Sequence, residues 1–182
     1  KKVRSMKTNF KQNSVKLAIA AGLVGGSVGF TLPAFALAKT SNLLVKASIG
    51  NACVVSTDEI NFNTYDPNAS TDTVAVGKIK TTCTAGAGGT IKIGKGTNGT
   101  GTNDAPTRRM ATGTGENVKY LSYDVFTDDA RLKQWNHTDA NSAALAGTGG
   151  EVAINVYGKI PKGQTAAIAG DYTDTLVVTV NY

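Results

Sequence analysis

The chain has 182 residues, 41% hydrophobic and 18% charged, with two cysteines, one histidine and a formal net charge of +6. A basic balance of that size points to nucleic acid or an anionic membrane, but residues 1–36 hold six Lys/Arg and no Asp/Glu. Taking six from 19 leaves 13 basic residues against 13 acidic ones, so the charge argument for nucleic-acid binding goes with the first segment.

In chain order, residues 6–16 are basic, "LAIAAGLVGGSVGF" (17–30) is apolar, and small residues follow at A-F-A and A-L-A. This is the order of a secretory signal peptide, with cleavage expected after Ala36 or, second, after Ala38. The apolar run is shorter than the roughly 18–20 residues that span a bilayer. "KKVRS" before Met6 reads as an upstream start. About 146 residues remain, enough for one domain with a sizeable core. In an oxidising compartment Cys53 and Cys83 read as one disulfide. A metal site or a reactive thiol would compete, but a single His and no C-x-x-C offer little for either.

Leu43, Val45, Ala47 and Ile49 alternate with Leu44, Lys46 and Ser48, predicting a strand before Cys53. "DTVAVGKIKTTCT" predicts a strand with Ile79, Thr81 and Cys83 on one face. "GTIKI" predicts a short strand running into a Gly/Thr/Asn loop, and "NVKYLSYDVFTD" a single longer one. "EVAINVYGKIP" alternates through Val152, Ile154, Val156 and Ile160, while residues 94–107 and 138–150 read as loops. Near the end, Leu176, Val178, Val180 and Tyr182 share one face and Val177, Thr179 and Asn181 the other. Six to eight strands between Gly, Pro, Asn and Asp turns, with no amphipathic helix, predict an all-β sandwich.

Nothing assembles into a catalytic or metal site. "GTIKIGK" matches the start of a phosphate loop, but Gly96 stands where a Ser/Thr would hold magnesium. Asp124, Asp128, Asp129 and Asp139 lack calcium-loop spacing, and His137 is expected at the surface. Asn68, Asn98 and Asn136 begin glycosylation sequons. No cofactor is expected, and an enzyme is the weakest class of function.

The terminal strand raises a different question. A strand this apolar normally has a neighbour on each side, and no hairpin partner follows it in these 182 residues. "LSYDVFTDDARLKQW" followed by "VYGKIPKGQTAAIAGDYTDTLVVTVNY" resembles the spore coat protein U domain. "NACVV", "INFNTYDP", "IKTTCT" and the R-x-M element at Arg108–Met110 agree with it; Asn63 stands where the family often has Gly. Single-domain members with an N-terminal extension resemble subunits of archaic (Csu-type) chaperone–usher pili.

The resemblance implies an incomplete immunoglobulin-like sandwich, whose groove beside the last strand is filled first by a periplasmic chaperone. The extension of the next subunit then replaces it at an outer-membrane usher. On that basis residues 1–36 are the signal peptide, 37–51 the donor-strand extension and 52–182 the pilin domain. Leu43, Val45, Ala47 and Ile49 are the expected donor residues, and Leu176, Val178, Val180 and Tyr182 the expected edge of the acceptor groove. The expected function is a surface pilus subunit that polymerises by donor-strand exchange for attachment and biofilm formation. The alternatives are a secreted coat-like or carbohydrate-binding sandwich, with residues 43–49 as its own first strand.

Overall fold

The structure is a computed structural model that describes residues 38–182. The expected signal peptide and the cut after Ala36 lie outside these residues. The chain divides into two units, Lys1–Val45 and Lys46–Tyr182. The described part of the first, residues 38–45, has no strand or helix, and Leu43, Leu44 and Val45 are exposed.

The second unit is built from eleven strands and two short 3-10 turns (Gly115–Asn117 and Asp139–Asn141). The strands are β1 (Cys53–Asp58), β2 (Thr73–Cys83), β3 (Gly88–Ile93), β4 (Thr100–Gly101), β5 (Pro106–Thr107) and β6 (Arg109–Thr112). They continue with β7 (Lys119–Ser122), β8 (Asp124–Phe126), β9 (Ala143–Ala146), β10 (Glu151–Ile160) and β11 (Val178–Asn181). One antiparallel sheet has the order β1-β2-β10-β8 and a second the order β11-β3-β9. Two ribbons, β4-β5 and β6-β7, complete the unit.

Period-2 alternation places the core. On β2, Gly77, Ile79, Thr81 and Cys83 are buried, and across the ladder Val156, Ile154 and Val152 oppose the first three. Ile91 and Ile93 of β3 and Leu145 of β9 face them from the second sheet. Trp135 fills the space between, fully buried, and its indole N–H donates to the Ile91 carbonyl at 2.8 Å, so the ring's polar atom is satisfied. After β1 the chain crosses the inner face without forming a strand. Ile60 and Phe62 sit where Gly77 and Gly158 carry no side chain; a Cβ at either glycine would lie 2.5–2.6 Å from those two residues. Asn63 has φ of +54°, the left-handed conformation that Asn tolerates better than other non-glycine residues, so the position can do without Gly.

β2, β3 and β10 lie where alternation predicts them, and four segments differ. Residues 43–49 form no strand, as a lone extended segment has no ladder to satisfy its main chain. The stretch from Lys119 to Phe126 is two strands in different layers, β7 against β6 and β8 against β10, parted at Tyr123. Residues 143–146, expected in a loop, form β9 against β3, and the loop at 94–107 contains the β4-β5 ribbon. The terminal strand is assigned only over Val178–Asn181, although Thr173 bridges Ala111.

Cys53 and Cys83 form a disulfide across the β1-β2 ladder, with Cα atoms 4.1 Å apart and a separation of 30 positions in sequence. β1 is exposed along almost its whole length and pairs with β2 alone. The covalent link therefore does much of the work of keeping this edge strand in place. Replacing both cysteines by Ser is expected to lower stability by roughly 2–4 kcal/mol in urea unfolding. Limited proteolysis of that variant should cut first in residues 52–64.

Candidate functional site

β11 is an edge strand, paired with β3 on one side only. On that side Val177 O accepts from Gly94 N–H (2.9 Å), Thr175 O from Thr97 N–H (3.1 Å), and Thr173 exchanges both bonds with Ala111. In an antiparallel ladder the main-chain groups alternate sides. Odd-numbered residues thus serve β3 and its extension, leaving the N–H and C=O of Leu176, Val178 and Val180 aimed at the open edge. The side chains of these same residues turn inward and pack on the core. One row of residues carries both a free hydrogen-bonding edge and an apolar face.

Beside this edge lies a groove of about 1010 Å³. One bank is the chain from Ala167 to Leu176 with Val178, and the other is residues 57–65. Its floor includes Ile79, Ile93, Tyr123 and Val156, which belong to the core itself. The gap is an interruption of the hydrophobic core along one side of the sandwich.

Hydrogen bonds anchor the terminal bank. Asp174 accepts from Tyr123 Oη at 2.8 Å and from Asn98 N and Nδ2 at 3.0 and 3.3 Å. Gly96, at φ +85°, lets the loop come this close: a Cβ there would lie only 2.1 Å from an Asp174 oxygen. Burial, reinforced by the Asp174 carboxylate, pushes the Tyr123 hydroxyl above the usual tyrosine range. Gln164 imitates a strand, accepting from Ser122 N–H (2.8 Å) and donating to Ser122 O (2.9 Å) at the end of β7.

Beneath the terminal segment, Arg108 is buried to 1% exposure. Its guanidinium donates to Asp124 Oδ1 (2.5 Å) and to the carbonyls of Ile93, Gly94 and Trp135 at 2.6–3.0 Å. Gln134 Nε2 and Val125 N–H also donate to the Asp124 carboxylate. The charge therefore joins β3, β8 and the Trp135 segment through carbonyls that would otherwise be left without donors. The R-x-M pattern marks Arg108 in the sequence, but only the structure shows why it is buried.

Each residue singled out from sequence has a place. Leu176, Val178 and Val180 are half-buried against the core, whereas Tyr182 is exposed, beyond the end of β11. Leu43, Val45, Ala47 and Ile49 are all exposed. The phosphate-loop look-alike is β3, with Ile91 and Ile93 buried in the core. Asp124 pairs with Arg108 and Asp139 with Lys92, while Asp128 caps a turn through the Leu132 and Lys133 N–H groups. These contacts hold the Asp139 and Asp128 carboxyls below their ordinary range, through Lys92 and the two backbone donors respectively. Among the described residues, no group of His, Cys, Asp and Glu is arranged to hold a metal. His137 departs from the surface expectation: it is half-buried, with Nε2 shut away from solvent. Of the sequons, Asn136 is buried and Asn98 is engaged with Asp174, leaving Asn68 exposed.

These features define a class: a disulfide-linked β-sandwich domain with an open apolar groove along its terminal strand. The family model for the Spore Coat Protein U domain matches residues 39–179. The chain is 33% identical over 181 residues to "Protein U" of Myxococcus xanthus, covering 93% of this chain and 99% of that protein. It belongs to the spore coat protein U domain family. Its fold is similar to a chain of the CsuC–CsuE chaperone–tip adhesion subunit pre-assembly complex from archaic chaperone–usher Csu pili of Acinetobacter baumannii. That likeness has a TM-score of 0.52 at 16% identity and covers 74% of this chain. The chain spans 40% of the solved chain's length. The fold is thus an open, immunoglobulin-like all-β sandwich.

Two substitutions test the frame around the groove. Arg108→Met should cost about 3–5 kcal/mol in urea unfolding, because it removes the cationic partner of Asp124 and the donor to three buried carbonyls. Tyr123→Phe removes a donor from a carboxylate and should cost roughly 1–3 kcal/mol at pH 7. Tyr123 is raised above its unfolded value of about 10, so its contribution is complete below that pH and declines as pH rises further. Above pH 10 the wild-type and Phe variant stabilities should therefore converge, as followed by thermal melts across the alkaline range.

Proposed function

We propose that this protein is a structural subunit of a surface pilus assembled by donor-strand exchange, in the manner of archaic chaperone–usher systems. One observation carries the reading: an apolar groove lies along a strand edge whose main-chain groups have no partner among the described residues. A β-strand of alternating apolar residues satisfies both demands at once, by ladder hydrogen bonds and by side chains plugged into the groove. Residues 43–49 have that alternation and stand exposed and unpaired. Leu43, Val45 and Ile49 at about 1.5–3 kcal/mol each would yield roughly 4.5–9 kcal/mol gross, with a smaller share from Ala47, before the cost of ordering the segment. Leu176, Val178 and Val180 form the acceptor edge, and Tyr182 lies beyond the groove.

A groove this large in the core is a liability before assembly, so a periplasmic chaperone occupies it first and an outer-membrane usher exchanges it for the next subunit. The solved chaperone–subunit complex with a similar fold supports such a partner. Export follows from the signal-like start of the sequence, and the site of action is the cell surface, where polymers serve attachment and biofilm formation. No nucleic acid takes part. Plug and groove are different surfaces, so contacts run head to tail and propagate instead of closing.

The test compares the intact mature chain with a version lacking residues 37–50, each co-expressed in a periplasm with the cognate chaperone. The intact chain should give ladders in unheated SDS gels and fibres in negative stain, and the shortened one only a chaperone complex. Two soluble monomers of equal stability, needing no chaperone, would refute the reading and leave a self-sufficient secreted domain.

A further inference from the structure

Resting on the donor-strand reading, the geometry points to one register for the inserted segment, antiparallel to β11, with Leu44 of one subunit lying over Val177 of the next. The outward faces fix it. Along the terminal segment the outward, odd-numbered side chains are Thr173, Thr175, Val177, Thr179 and Asn181, of which Val177 alone is large and apolar, at 65% exposure. With Leu43, Val45, Ala47 and Ile49 inserted, the outward donor side chains are Leu44, Lys46 and Ser48, and again one is large and apolar. Setting Leu44 opposite Val177 covers both exposed side chains outside the groove and leaves Lys46 and Ser48 beside threonines.

Direction follows from the extent of the groove. Its terminal bank runs from Ala167 to Leu176 with Val178, and neither Val180 nor Tyr182 lines it. Antiparallel, Leu43, Val45, Ala47 and Ile49 lie opposite Val178, Leu176, Asp174 and Tyr172, all within the bank. Ala47, the smallest of the four, meets the one position where Asp174 and Tyr123 already fill the space with their hydrogen bond. Parallel, Ala47 and Ile49 would lie opposite Val180 and Tyr182, where the groove does not extend.

The same register requires a second copy of the chain. Cys53 is bonded to Cys83, which leads through a short turn to Gly88 and Gly89, and Gly89 packs against Asn181. The attachment point of the N-terminal segment is therefore at the Tyr182 end of the terminal strand. In the antiparallel register Ile49 lies at the opposite end, beside Tyr172. Residues 50–52 reach about 10 Å, against roughly 30 Å for the intervening strand, so a chain cannot insert its own segment this way. Self-insertion is confined to the parallel direction.

Cysteine pairs on the outward faces read register and direction together. Outward partners across the new ladder are non-hydrogen-bonded pairs, with Cα atoms about 4.5 Å apart and within reach of a disulfide. Mature subunits carrying Ser48→Cys with Thr173→Cys, Lys46→Cys with Thr175→Cys, or Leu44→Cys with Val177→Cys are assembled with the chaperone, oxidised, boiled and run without reductant. All three should give covalent ladders, and Ser48→Cys with Asn181→Cys should give none. A crosslinked monomer from the Ser48/Asn181 pair would overturn the proposal in favour of parallel self-insertion. Ladders from Leu44→Cys with Thr175→Cys or Thr179→Cys, in place of Val177→Cys, would overturn the register. Unheated gels of the wild-type chain separate the two levels: ladders there without the expected crosslinks reject the register alone, and their absence rejects pilus assembly itself.

Discussion

The unpaired edge of the terminal strand is the constraint on which the rest of this structure depends. Leu176, Val178 and Val180 combine an inward apolar side chain with main-chain groups that point at no partner among the described residues. Either feature alone has ordinary remedies: an exposed edge can be blunted by charge or proline, and an apolar face can be covered by a loop. The sequence uses neither here. From Leu176 to Val180 it places no proline and no charged residue, the composition expected of a strand in the interior of a sheet.

An interruption in a core would ordinarily close by collapse of its walls, and the polar bonding around this one opposes that. Asp174 ties the terminal segment to Tyr123 and to the loop at Asn98, while Gln164 fixes the 161–172 segment to β7. Arg108 pins β3 and β8 from below. On the opposite bank, Ile60 and Phe62 are seated over Gly77 and Gly158, so this wall is also set by close packing. These interactions are short-ranged and directional, unlike the hydrophobic effect that would favour closure. They account for charged and polar residues so near a core: they define a shape that apolar packing alone would not keep open.

Much of this could be read from sequence wherever one physical signal dominates. β2 and β10 alternate over ten or eleven residues with β-branched side chains on the buried face, and the paired cysteines had few competing uses. β9 was illegible because A-A-L-A has neither β-branching nor a polar alternate, and it is a strand only because β3 offers it an edge. The division of residues 119–126 between two layers was hidden for a related reason: alternation continues unbroken through Tyr123 while the ladder partners change. Alternation records which face is buried and says nothing of which strand lies alongside. For the groove, the apolar strand was visible but the bonds that hold its banks were not. Asp174, Gln164 and Arg108 act through partners 42, 51 and up to 76 residues away in sequence, or through buried carbonyls that no local pattern marks.

The placement of the disulfide bears on the proposed polymer as well as on the single domain. It fixes the start of β1 at the Tyr182 end of the terminal strand, while the groove lies toward the Tyr172 end. If the donor segment inserts antiparallel as proposed, the disulfide of the incoming subunit would lie just past the Tyr172 end of its predecessor, with its own groove facing onward from there. Under the proposed donor-strand exchange, successive subunits would stack end to end along the strand direction, joined through residues 50–52, a connection of only about 10 Å. A linker that short, next to a crosslinked strand, gives adjacent domains little room to swing. In such a polymer the covalent bond that secures the edge strand of one subunit would also limit the bend between neighbours, tying the stiffness of the fibre to the redox chemistry of the compartment in which the subunit folds.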